Sequence, residues 1–142
     1  MPRLLNDQLC KVTFLDRISN SKLTMHYHMP STADRIAYAN EQIIRKDGKI
    51  KNNAGEVRIK YGLRILAGFD DGDFEKGNNQ PLSWDPKSPH YDPAWKTIIK
   101  QYASDVVSML AVHVFEASVM AHTPDDDEEN GEVPEDKEKD PL

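Results

Sequence analysis

Apolar and polar residues alternate along two short stretches near the start of the chain, 9–15 and 22–29, and a period of two predicts strands. In LCKVTFL, Cys10, Val12 and Phe14 share one side. In the second stretch Leu23, Met25, Tyr27 and Met29 face one way and Lys22, Thr24, His26 and His28 the other, as in a sheet with one wet face. The turn formers DRISNS between them predict an antiparallel hairpin with a loop of about six residues. Pro30 lacks a ladder donor and ends the second strand. Ser31 or Thr32 can then accept from the free amides of a new helix, with Asp34 completing a capping box. That helix is predicted over Thr32 to Arg45, with Ile36, Tyr38, Ala39, Ile43 and Ile44 as its apolar positions and Asp47-Gly48 as its break.

Residues 47–56, with Gly48, Asn52, Asn53 and Gly55 among lysines, read as a solvated connection. From Glu56 to Ala67 two periods compete: Val57, Ile59 and Tyr61 alternate, whereas Ile59, Leu63 and Leu66 have helical spacing. The helix is favoured, with Gly68 as its C-terminal glycine. Residues 69–92 form a long irregular loop rich in glycine and proline, and Trp84 and Trp95 are suited to pin its second half to the core. Asp92-Pro93 is a helix start, and the last helix is predicted from Pro93 to Ala121.

This last helix carries Trp95, Ile98, Ile99, Tyr102, Val106, Met109, Leu110 and His113 on one stripe, and beyond Val106 it is apolar almost all round. Such a helix must be covered on every side. A hairpin and two other helices leave part of it bare, and large apolar patches are rare on monomers. Val107, Ala111, Val114, Phe115 and Val119 are therefore the candidate partner-binding residues, facing another protein or a second copy of the chain. The pattern as a whole predicts an α+β fold: one domain over residues 1–123, an antiparallel hairpin packed on about three helices, then a segment 124–142 too poor in apolar residues to fold and expected to be disordered.

Charge sharpens this division. Residues 124–142 hold ten acidic side chains against Lys137 and Lys139, a net −8, while the other 123 residues carry 16 basic and 14 acidic groups. The overall −6 thus belongs to the tail. A near-neutral body argues against a nucleic-acid binder, whose phosphate contacts require concentrated Lys and Arg. Cys10 is the only cysteine, so no intrachain disulfide forms and a cytoplasmic location is the expectation. The N-terminus is too polar for a signal peptide, and the apolar run Val106 to Met120 is shorter than the roughly 20 residues a membrane span requires.

Candidate chemistry is sparse. His26 and His28 could point at one metal, but no third ligand stands near them, and they read as solvent-facing strand residues. Asp70, Asp71 and Asp73 around Gly72 lack the spacing and the closing glutamate of a calcium loop, leaving a solvated turn. Cys10 has no base beside it and reads as a small strand hydrophobe, while Asp34 and Glu41 belong to a charged helix face. No catalytic residue, metal or cofactor follows. His90, Tyr91 and Trp84 in the long loop are the residues an alternative small-ligand or enzymatic site would use.

The order KVTFLD, LTMHYHMPSTADRIAY, a polar helix end and a Trp95 to Phe115 helix resembles phage tail assembly chaperones encoded in prophages. The likeness covers residues 10–45 and, more loosely, 93–120. It implies a non-catalytic role: binding the tape-measure protein or the tail tube protein during assembly, with the apolar last helix as the binding element. A structural tail subunit is the third reading.

Overall fold

The computed structural model describes Leu5 and residues 8–117. Strands β1 (Leu9–Asp16) and β2 (Ser21–His28) pair antiparallel in the expected register, Leu9 opposite His28 through Asp16 opposite Ser21. The loop, 17–20, is shorter than expected, because Asn20 takes up a left-handed φ of 56° and Asp16 braces the turn. The Asp16 carboxylate accepts from Ile18 N at 3.2 Å, Ser19 N at 3.3 Å and Ser19 Oγ at 2.6 Å.

Ser31 caps helix α1 (Thr32–Glu41) with the reciprocal Asp34 box read from the sequence, but the helix stops four residues early. Residues expected to finish it form β3 (Ile43–Lys46), which pairs antiparallel with β4 (Lys49–Asn52). Two adjacent β-branched isoleucines favour a strand over a helix end. Asp47 and Gly48, with φ of 55° and 74°, then make the tight turn whose twist suits a two-residue hairpin. The supposed connection 47–56 is therefore half of a ribbon and the start of α2 (Ala54–Ile65). Helix α2 runs back along α1: Arg64 meets Asp34 at 3.3 Å and Lys60 meets Glu41 at 2.9 Å.

Leu66 leads directly into β5 (Leu66–Phe69), which adds antiparallel to β2 and completes a sheet of order β1-β2-β5. Gly68 is thus a strand residue rather than a helix cap. The Trp84 indole lies against it, and a Cβ there would sit 2.6 Å from the ring. Because β2 is central, His26 is buried rather than solvent-facing: its Nε2 lies 2.7 Å from Asp70 Oδ1, and its ring meets Trp84 edge-on at 6.0 Å. His28 is exposed as expected.

The long loop contains a small hairpin, β6 (Glu75–Gly77) with β7 (Gln80–Pro81), and a bridge between Ser83 and Tyr91. Both tryptophans anchor it. Trp84 Nε1 donates to the Phe69 carbonyl at 2.7 Å, and Trp95 packs edge-on against Phe69 at 5.9 Å.

The single last helix expected from Pro93 is two: α3 (Trp95–Tyr102) and α4 (Ser104–Ala111), broken at Ala103 with φ −137° and ψ 38°. A widened π turn, Val112–Glu116, follows α4. Residues 118–121 of the expected helix and the acidic segment 124–142 lie outside the described residues.

Helix α4 is the centre of the core. Val107, Leu110 and Ala111 are wholly enclosed and Val114 nearly so. Gly62 lets α2 approach so closely that an added Cβ would stand 2.5 Å from the Val107 carbonyl oxygen. Phe115, half-buried, stacks parallel on Tyr38 at 4.3 Å and meets Tyr61 edge-on at 5.8 Å. Just past it Glu116 accepts from the Tyr38 hydroxyl and from Arg58 Nε at 2.8 Å. Burial and this carboxylate push the Tyr38 hydroxyl up to about 12, while the Arg58 guanidinium holds Glu116 below the usual carboxylate range. The expectation of a bare apolar helix is corrected by these contacts. A second helix at glycine distance and an aromatic stack shelter Val107, Ala111, Val114 and most of Phe115 within the chain.

Candidate functional site

Among the candidate partner-binding residues, Val107, Ala111 and Val114 are core, Phe115 is spent on the tyrosine stack, and Val119 lies outside the described residues. The apolar surface left over is elsewhere. At the far end of the sheet, the β1–β2 turn and the first half of α4 enclose a groove of about 410 Å³.

Its floor is Phe14, Leu23 and Val106, and its apolar rim is formed by Leu15, Ile18 and Met109. Leu23 and Val106 are buried and Phe14 partly so, whereas the rim is open: Leu15 is 60%, Ile18 86% and Met109 53% exposed. Local sequence explains each. Phe14 and Leu15 are successive apolar residues on one strand, so they must point to opposite faces and one of them faces out. Ile18 sits in the tight turn braced by Asp16, whose donors, Ser19 first and then the Ile18 amide, hold its carboxyl below the usual range. That bracing fixes where Ile18 is presented. Met109 projects from the side of α4 opposite the α2 contact made by Val107, and its flexible thioether suits an adaptable contact.

Asp16, Arg17 and Asp105 complete the lining, giving an apolar centre with a charged border. Sequence reasoning missed Leu15, Ile18 and Met109. The available signal was Ile18, an isoleucine stranded among the turn formers of DRISNS.

The other constellations make contacts within the fold. His26, Asp70 and Asp73 tie the turn after β5 to β2, with Thr24 N donating to Asp73 at 2.7 Å. The His26 contact lowers the Asp70 carboxyl, whereas burial raises that of Asp73. Among the described residues no three His, Cys, Asp or Glu side chains could hold a metal ion. His90 is exposed, Trp84 is packed on Gly68, and Tyr91 belongs to the bridge with Ser83, so each residue of the alternative loop site is placed by the fold. A second, open depression of about 640 Å³ is lined by Glu41, Glu56, Lys60, Leu63 and Lys100 among others. Glu41 is already paired there with Lys60 and with the Tyr61 hydroxyl. No described helix is long and apolar enough to cross a membrane.

Compared with known proteins, the chain matches no family model, and no curated protein and no solved structure matches it significantly.

Proposed function

We propose that the chain is a non-catalytic assembly chaperone or adaptor that holds an apolar segment of another protein in the groove between the β1–β2 turn and α4. The observation that carries this reading is the juxtaposition of exposed Leu15, Ile18 and Met109 over a floor of buried Leu23 and Val106 and partly buried Phe14. Apolar anchors inside a charged border are where helix-in-groove recognition draws its affinity. The resemblance to phage tail assembly chaperones supplies the kind of client, the apolar tape-measure protein or the tail tube protein.

Co-expression with the tape-measure and tube proteins of the same genome tests the reading. A stable complex with either, lost on Ile18→Glu together with Met109→Glu in a protein that remains folded, is the expected result. Absence of a complex with both clients would overturn it, and so would persistence of the chain in finished particles, which marks a structural subunit instead.

A further inference from the structure

The ribbon β3–β4 is an arm. All eight of its strand residues are exposed, and at its base Asn53 N donates to the Gln42 carbonyl at 2.7 Å. Residues 43–52 hold Arg45, Lys46, Lys49 and Lys51 against Asp47 alone. The register sorts them. Ile44 opposite Lys51 and Lys46 opposite Lys49 share one face, so that face carries three lysines, while Ile43, Arg45, Ile50 and Asn52 share the other.

Directly opposed like charges destabilise a strand pair, and here Lys46 stands opposite Lys49. Among the described residues none of the four cations has an ion pair or hydrogen bond, although Arg58, Lys60 and Arg64 on the adjoining helix are all paired. The arm therefore presents an unneutralised basic face. The described chain ends beside it. Glu116 is held by Tyr38, three residues before the end of α1, and by Arg58, near the start of α2, and these are the two helix ends that carry the arm.

From these observations we infer that the acidic segment 125–140 of this same chain docks on the Lys46, Lys49 and Lys51 face of the arm. Five consecutive acids, Asp125 to Glu129, begin eight residues after Ala117. Eight residues reach at most about 26–29 Å. The arm is only about 13 Å long at strand rise, and helix rise puts its base about 5–6 Å beyond the residues that hold Glu116. Tethering at this range gives an effective concentration on the order of millimolar, so even a weak charge contact is well occupied. The contact neutralises the opposed lysines and shields the arm from free polyanions. This inference does not depend on the groove.

The test uses the full chain carrying Cys10→Ser and Glu128→Cys, with a nitroxide on the new thiol and paramagnetic broadening of arm amides as the readout. At low salt the Lys46 to Lys51 amides should lose their signals. They should recover at about 1 M salt, where the screening length falls to about 3 Å, and in a Lys46→Glu, Lys49→Glu, Lys51→Glu variant. Arm signals that are unaffected at low salt overturn the inference. So does broadening that appears only between a labelled chain and a separate isotope-enriched copy, which would make the contact intermolecular.

Discussion

Helix α4 and the β3–β4 arm invert the relation between apolar content and exposure. Helix α4 is strongly apolar and buries Val106, Val107, Leu110 and Ala111, whereas the arm lies among lysines and leaves Ile43 57% and Ile50 69% exposed. The difference is one of connection. Residues 104–111 lie where α2 can meet them at glycine distance, while the arm stands in place of the loop joining two antiparallel helices and its strand residues are exposed among the described residues. Apolar composition measures the demand for cover; topology decides whether cover is supplied.

The contrast is broken most severely by emptying the enclosed side. Leu110→Ala should cost about 2–5 kcal/mol, since a wholly buried leucine leaves a cavity. Denaturant unfolding measures it, and a loss below about 1 kcal/mol would mean the helix is not sheltered. Gly62→Ala should cost about 1–3 kcal/mol by forcing α2 off the Val107 carbonyl, which as backbone cannot rotate aside. A neutral result would refute the close approach.

At the groove, Met109→Glu should weaken client binding about tenfold or more while leaving unfolding within about 0.5 kcal/mol, because the side chain is half-exposed. Calorimetric titration with the purified client separates the two effects. The clamp at Glu116 gives a smaller effect with a fixed sign. Its folded carboxyl is held below 4.5, chiefly by the Arg58 hydrogen bond, so its contribution is full above pH 4.5 and is lost on acidification through the lowered value. Glu116→Gln should cost about 1 kcal/mol at neutral pH and flatten the fall in stability below pH 4.5. An unchanged acid slope would remove the clamp from the account. Smallest of all, Ile50→Thr on the arm should change stability by no more than about 0.5 kcal/mol.

Much of the framework was legible because it is local. The period of two in 9–15 and 22–29 placed the first hairpin and its inward face, and Ser31 with Asp34 placed the start of α1. Two misreadings share a cause: a strong helix start carried the reading past Ile43-Ile44 and the Asp47-Gly48 turn, and helical spacing carried α2 past Ile65 into what is strand. At Ile43-Ile44 the β-branched pair and the Asp47-Gly48 turn favoured the strand, and at Leu66 pairing with β2 ended the helix. The burial of His26 depends on β5 arriving as a third strand, more than 40 residues later. The shelter of Val107 depends on Gly62, a mid-helix glycine whose purpose appears only once α2 and α4 are packed together. The groove was hidden for the same reason: Ile18 and Met109 share a rim only in the folded chain.

Amide hydrogen exchange on the full chain, alone and co-expressed with the proposed tape-measure or tube client, reads both surfaces at once. Val107, Leu110 and Val114 should be protected before the client is added, and new protection should appear over residues 15–18 and around Met109. New protection confined to residues 112–116, with no change in the β1–β2 turn, would contradict this and return the binding surface to the last helical turn.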